Sequence, residues 1–190
     1  YGVFFTLGLR VVPQQWWVWP SVHWFDGVDR GEHLLMAPDM RFYYLLYGAR
    51  YAQGIVSVLL ELRRKDFTEM MVHHLATVVC IVISYSTSFW RIGAVIMVVL
   101  DAADAPLHCA KLLNYLAHHT GVMKLLAAVM FSVFVVVFFV SRLLLYPYTV
   151  YSAAFEGPRV TTYTAITYFC VSGLGVLLAL QVYWFAMVLK

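Results

Sequence analysis

The chain has 190 residues, of which 63% are hydrophobic, 17% aromatic and only 12% charged. Soluble domains carry about twice that share of charged residues, which excludes a water-exposed globular surface. The net charge of +3 is too small to indicate a nucleic-acid-binding protein. Because hydrophobic runs recur along almost the whole chain, we predict a single membrane domain over residues 1–190. The chain begins inside an apolar run and without methionine, so we expect a fragment of a longer protein.

A helix that crosses a bilayer needs about 20 mostly apolar residues. The sequence contains five such segments, with a sixth at the N-terminal end cut short. They cover residues 1–12, 42–62, 67–88, 91–116, 123–146 and 164–189. Four tryptophans in the loop at 13–41 are predicted to be interfacial anchors, and the two prolines of segment 147–163 predict a loop there.

The basic residues of the loops indicate an orientation. Arg63, Arg64 and Lys65 lie together in one short loop between two predicted spans. The total number of Lys and Arg is the same on the two predicted sides of the membrane, six on each. Dense basic charge close to helix ends favours the cytoplasmic side, so we place this loop there.

The three cysteines, Cys80, Cys109 and Cys170, all fall within apolar stretches. Their spacing is neither that of a metal site nor that of a disulfide scaffold. We expect them to be small buried apolar residues.

Ionisable residues within the predicted spans are the informative feature of this sequence. Each Asp or Arg near the centre of a spanning helix costs about 2.5–3.5 kcal/mol on insertion scales. Such residues must therefore face a protein interior or a water-filled cavity rather than lipid. The residues concerned are Arg50, His73, His74, Asp101, Asp104 and Arg142.

Four polar residues share one stripe of the fourth predicted span. At 100° per residue the stripe occupies an arc of roughly 80°. Its members are Asp101, Asp104, His108 and Lys111. Counted from the cytoplasmic helix ends, His73 lies about 9 Å deep, and His108 and Asp104 lie about 12–18 Å deep. We therefore expect side chains from the two spans to converge.

Three interpretations of this group remain open. Its members could hold the helices together by hydrogen bonds, or His73, Asp101 and Asp104 could bind zinc. Alternatively, an imidazole could act as a base or nucleophile while a carboxylate orients it. A membrane di-iron hydroxylase needs about eight clustered His, and the chain has seven in total.

A set of motifs resembles the signature of ceramide synthases, which are TLC-domain enzymes. It consists of R-R-K-D-F-T-E-M-M-V-H-H-L-A-T at 63–77, D-A-A-D at 101–104, P-D-M-R-F-Y-Y at 38–44 and K-L-L-N-Y at 111–115. The likeness is strongest over residues 24–115. Many members have His where this chain has Leu100, and Glu where it has His108.

The resemblance implies an all-α membrane fold of six helices in a barrel around a central tunnel, built from two inverted three-helix repeats. It implies transfer of a fatty acyl group from acyl-CoA to a sphingoid base in the endoplasmic reticulum membrane, without a metal or a cofactor other than this co-substrate. It also allows a homodimer or a heterodimer. A non-catalytic lipid-binding, lipid-sensing or membrane-insertion role is the alternative.

Site residues are implied as follows. His73, His74, Asp101 and Asp104 are the expected catalytic residues. The expected substrate-binding residues are Arg63, Arg64, Lys65, His108 and Lys111.

Overall fold

The computed structural model describes residues 2–31, 36–60, 66–116 and 121–188, and within these ranges all regular elements are helical. The α-helices are α1 (Gly2–Val11), α2 (Pro38–Leu60), α3 (Phe67–Ser86), α4 (Trp90–Asp101), α5 (Asp104–Leu116), α6 (Gly121–Phe138), α7 (Tyr146–Tyr151), α8 (Gly157–Val160) and α9 (Ala165–Val188). Two 3₁₀ turns, Trp16–Val18 and Ser21–Trp24, lie between α1 and α2. Two π-helical segments, Phe139–Leu145 and Ser152–Glu156, flank α7.

Four helical runs are long and apolar enough to cross a membrane. They are Phe67–Ser86, Trp90–Leu116, Gly121–Val160 and Ala165–Val188. This confirms the predicted all-α membrane class. Helix α2 has 23 residues but is not among the four, because Arg50, Gln53 and several tyrosines lower its hydropathy. The total of six spans, the barrel and the inverted repeats stay predictions.

The fourth predicted span is not one continuous α-helix. It is interrupted at Ala102 and Ala103, so that Asp101 ends α4 and Asp104 begins α5. Pro106 explains the break, because proline has no N–H to donate to the carbonyl of Ala102 and its ring crowds that carbonyl. The two helices still form one helical run, Trp90–Leu116, in which Asp101 and Asp104 both face Arg50, and the full polar stripe stays a prediction.

The prediction of a loop at 147–163 was wrong, because most of this segment is helical. Helical structure continues from Gly121 to Val160 through both prolines of the segment. Pro147 and Pro158 each follow a π-helical segment, in which wider turns re-pair the carbonyls that a proline leaves without an N–H. The first π-helical segment contains Arg142, one of the costly intramembrane residues.

The tryptophans of the first loop divide into two groups. Trp16 and Trp19 are exposed, as expected for interfacial anchors. Trp17 and Trp24 are each only 2% exposed, and the ring of Trp17 packs edge-on against Trp90 at 5.4 Å. The anchor prediction was therefore wrong for these two: Trp17 attaches the loop to α4, and Trp24 packs edge-on against Tyr148 of α7 at 6.2 Å.

The core is built around tyrosines of α2. Tyr43, Tyr47 and Tyr51 follow one another at a spacing of four residues, so they lie on one face of the helix. Their ring centroids are 5.9 and 5.2 Å apart in succession. Tyr43 and Tyr47 are essentially inaccessible to solvent. Helix α3 packs against both α2 and α9, and this arrangement places the α2 tyrosines beside the histidines of α3.

Candidate active site

Asp101 is held by two side chains of α2. Arg50 donates from Nη1 to both carboxylate oxygens of Asp101, at 2.9 and 3.0 Å, and the hydroxyl of Tyr47 donates to Oδ1 at 3.1 Å. Asp101 is 1% exposed. A buried carboxylate is tolerated only when its charge is balanced and its oxygens are hydrogen-bonded, and these contacts meet both conditions.

Asp104 lies between two guanidinium groups. Its Oδ1 accepts a hydrogen bond from Nη2 of Arg142 at 2.6 Å, and its Oδ2 is 3.5 Å from Nη2 of Arg50. Arg142 also donates to the carbonyl of Leu100 at 2.8 Å and to Oε1 of Gln181 at 2.9 Å. Two carboxylates and two guanidiniums thus form one cluster of zero net formal charge, in which α2, α4, α5, the first π-helical segment and α9 meet.

The two histidines of α3 lie on the other side of Tyr51. The imidazoles of His73 and His74 are 5.9 and 5.6 Å from the Tyr51 ring, and 5.6 Å from each other. His73 is 9% exposed and packs edge-on against Trp184 of α9 at 5.2 Å. Both residues therefore lie against protein on their inner faces, as the sequence predicted.

Hydrogen bonding distinguishes the imidazoles from the carboxylates. Among the described residues, the buried Nδ1 atoms of His73 and His74 have no hydrogen-bond partner. Buried polar atoms are normally paired, and exceptions tend to mark functional positions. The carboxylates of Asp101 and Asp104 contact Arg50, Arg142 and Tyr47 instead. Tyr51, which also lies 5.4 Å from the Arg50 guanidinium carbon, is what joins the two groups of side chains.

His74 depends on a close approach of α2 to α3. A Cβ atom added at Gly54 would lie 2.7 Å from Cε1 and 2.8 Å from Nδ1 of His74. Side chains at this position would collide with the imidazole, so the absence of a Cβ at Gly54 creates the space that His74 occupies.

A partly open apolar cavity begins beside this site. Tyr47, Tyr51, Thr77 and Leu100 line the end next to the histidines and Asp101. At the opposite end the lining residues are Phe25, Phe89, Ala153 and Tyr163. The lining extends along α3 from Thr77 to its C-cap at Thr87, a length of about 15 Å at the rise of an α-helix. The cavity is therefore elongated, and its lining is almost entirely apolar.

The predicted substrate-binding residues are only partly covered by the structure. Arg63, Arg64 and Lys65 lie outside the described residues. His108 is half-buried and Lys111 is exposed, one and two turns beyond Asp104 on α5. Both are thus on the helix that starts at the site.

The zinc interpretation is not supported by the side-chain positions. Over the described ranges, no group of three or more His, Cys, Asp or Glu side chains could hold a metal ion. His73, Asp101 and Asp104 accordingly do not form a ligand set.

Several site residues were missed by the sequence analysis. Arg50 and Arg142 were recognised as costly but were not placed at the site. Tyr47, Tyr51, Gln181 and Trp184 were not singled out as site residues. The spacing of four along α2 could have indicated the tyrosines, and Gln181 could have been recognised as a polar residue within an apolar span.

Comparison with known proteins identifies the family. The family model described as TLC domain matches residues 1–190. This chain belongs to the TLC-domain family. The multi-pass membrane architecture described above is therefore that of a TLC domain. In this domain the two histidines lie on α3, and the D-x-x-D motif lies where α4 meets α5.

Curated relatives of this TLC domain carry ceramide synthase names. Ceramide synthase 4 of Mus musculus is 30% identical over 98% of the chain, and ceramide synthase LOH2 of Arabidopsis thaliana is 34% identical over 76% of it. Ceramide synthase FUM18 of Gibberella moniliformis is 32% identical over 84% of the chain. The matched regions cover 46%, 47% and 36% of these relatives, so the chain spans less than half of their length.

Proposed function

We propose that this TLC domain is the catalytic membrane domain of a ceramide synthase. It transfers a fatty acyl group from acyl-CoA to the amine of a sphingoid base in the endoplasmic reticulum membrane. The observation that carries the proposal is the pair of imidazoles with unpartnered Nδ1 atoms, placed beside a charge-balanced cluster at one end of an apolar cavity. The names of the relatives supply the reaction, and the site supplies residues able to perform it.

Charge counting assigns different roles to the histidines and the aspartates. The negative charges of Asp101 and Asp104 are already balanced by Arg50 and Arg142, so the cluster needs no positive charge from an imidazole. A neutral imidazole has a lone pair that can take a proton or attack an acyl carbon. We therefore assign the chemistry to His73 and His74. Asp101 and Asp104 position Arg50, and through it Tyr51, next to them.

Two routes satisfy this assignment. In direct transfer, an imidazole accepts a proton from the sphingoid ammonium, and the free amine then attacks the thioester. In the covalent route, an imidazole nitrogen attacks first, the carbon–sulfur bond breaks and coenzyme A leaves as a thiolate. The amine then attacks the acyl-imidazole, the amide forms and the imidazole is released. In both routes, the thiolate takes up a proton that the amine gives up.

The two ends of the acyl-CoA need different surroundings. The apolar cavity suits the acyl chain, because each CH₂ group that is transferred from water into an apolar site contributes about 0.8 kcal/mol to the binding free energy. The anionic coenzyme A portion cannot enter hydrocarbon and must stay at the membrane surface. Arg63, Arg64 and Lys65, immediately before α3, together with His108 and Lys111 on α5, are the basic residues proposed to bind it.

The proposal is tested with the full-length protein in nanodiscs, a panel of acyl-CoAs, a sphingoid base and mass spectrometry of the product. Replacing His73 or His74 by Ala should abolish ceramide formation while the thermal unfolding temperature stays within a few degrees. His23→Ala is the matched control, since the Nδ1 atom of His23 is also buried without a hydrogen-bond partner among the described residues but lies in the first loop, away from the site. This variant should retain activity. Full activity of both single variants would refute the assignment. Lipid binding without any product in the unmodified protein would favour the non-catalytic alternative.

A further inference from the structure

Cys80 of α3 and Cys170 of α9 face each other across two packed helices. The Sγ atom of Cys80 is 3.7 Å from the carbonyl oxygen of Cys170, and the Sγ atom of Cys170 is 3.8 Å from the carbonyl oxygen of Cys80. Each sulfur atom thus lies against the backbone of the other cysteine, where α3 packs against α9. A disulfide requires a close approach of the two cysteine backbones.

The close approach is a property of the helix packing. A Cβ atom added at Gly173 would lie only 2.9 Å from the Sγ atom of Cys80, so glycine at this position lets α9 come this near to α3. Cys80 is buried and Cys170 is half-buried, whereas the remaining cysteine, Cys109, is exposed on α5. Of the three cysteines, the expectation of a buried apolar role was therefore wrong for Cys109. It is confirmed for Cys80, and Cys170 is half-buried.

We propose that Cys80 and Cys170 are a redox modification site, at which a reversible disulfide joins α3 to α9. A peroxide is a sufficient oxidant. Both S–H bonds break, one sulfur–sulfur bond forms, and hydrogen peroxide is reduced to two molecules of water. The proposal does not depend on the proposed reaction.

The disulfide would fix one wall of the cavity. Both cysteines line the cavity. Helix α3 carries His73 two turns before Cys80, and α9 carries Trp184, which contacts His73. The covalent link would oppose any movement of α3 against α9 that the entry of a hydrocarbon chain requires. Oxidation is thus expected to slow the loading of apolar ligands.

The site is tested in a Cys109→Ser background, which removes the exposed thiol. Hydrogen peroxide is added to this protein in nanodiscs, and peptides are then analysed by mass spectrometry. We expect a crosslinked peptide pair that lacks two hydrogen atoms, with both thiols lost together and both recovered after dithiothreitol. Cys80→Ser and Cys170→Ser are the matched controls and should give no such pair. Oxidation of each thiol separately to a sulfinic acid, or no crosslink at all, would overturn the proposal.

The effect on the cavity is measured with a photoactivatable fatty acid. Its rate of incorporation should fall several-fold in the crosslinked protein and recover after reduction, while Cys170→Ser protein treated with peroxide shows no change. An unchanged rate in fully crosslinked protein would overturn the effect on loading. Because this measurement needs no ceramide product, it is separate from any failure of the proposed reaction.

Discussion

The guanidinium group of Arg50 bridges both carboxylate oxygens of Asp101, at 2.9 and 3.0 Å, at the point where α2 meets the end of α4. The next residue of α2, Tyr51, contacts both histidines of α3. Adjacent residues of one helix thus connect the charge cluster to the proposed catalytic pair. A substitution of Asp101 should therefore alter the positions of the histidines through Arg50 and Tyr51 of α2.

Asp101→Asn should reduce both stability and activity. The substitution leaves the Arg50 guanidinium in a largely buried position without its main counter-charge, which costs about 3–5 kcal/mol. In the double variant Arg50→Gln/Asp101→Asn both charges are gone, and we expect it to lose at least about 1 kcal/mol less than the sum of the two single variants. Thermal unfolding in detergent measures the stabilities. Additive losses would show that the two side chains do not interact.

Gly54→Ala should impair the reaction with little effect on folding. The added methyl group would lie 2.7 Å from Cε1 of His74, so the imidazole has to move. Misplacement of a reacting group by about 1 Å can lower a rate by about a hundredfold, and we expect kcat to fall by about tenfold or more. Gly175→Ala is the matched control, because nothing lies within 4 Å of a Cβ atom there. Equal activity of the two variants would remove Gly54 as a positioning residue.

Gly93→Ala should narrow the apolar cavity. A Cβ atom at this position collides with the hydroxyl of Tyr44, which hydrogen-bonds to Ser84, and all three residues line the cavity. The Tyr44 ring must shift, and we expect weaker binding of long apolar ligands and a preference for shorter acyl chains. Competition binding with fatty acids of increasing length measures both. Tyr44→Phe in the same protein removes the colliding oxygen and should restore part of the binding, whereas no rescue would point to damage elsewhere.

Gln181→Leu should destabilise the protein although it makes α9 more apolar. Gln181 is fully buried, and its Oε1 accepts a hydrogen bond from Nη1 of Arg142 at 2.9 Å. Loss of the acceptor leaves a buried charged donor unsatisfied, which lowers the free energy of unfolding by about 1–3 kcal/mol. Gln53→Leu is a suitable comparison, because Gln53 is exposed and its amide donates to the hydroxyl of Ser57 rather than to a buried charge. A loss no larger than that of the comparison would contradict the assigned role of Gln181.

Much of the site could be anticipated because an ionisable group in hydrocarbon is expensive. That argument alone directed Arg50, His73, Asp101 and Arg142 inward, and the structure has all four buried or nearly so. It could not assign partners. Either arginine could have paired with either aspartate, and the histidines were expected next to the carboxylates rather than across Tyr51. Hydropathy measures the free energy of placing a charged side chain in hydrocarbon, but it contains no information about which neighbouring residue balances the charge.

The helices likewise include features that the sequence predicted and features that it did not. Periodicity and length correctly predicted helices around Phe67–Ser86 and Ala165–Val188, since long apolar runs must satisfy their backbone groups internally. Pro147 was taken as the end of a helix, yet the helix continues through it with a π-helical turn. Packing of Arg142 against Asp104 and Gln181 stabilises that turn, and such a contact between distant residues cannot be read from local sequence.

The amino-acid sequence by itself therefore determined the membrane class, the main apolar helices and the list of residues that had to be sheltered, because these follow from the transfer of side chains out of water. Tertiary structure decided the ion pairs, the break at Pro106, the room for His74 at Gly54 and the shape of the cavity. These depend on distances of a few ångströms between helices, which are set only when all the helices pack together.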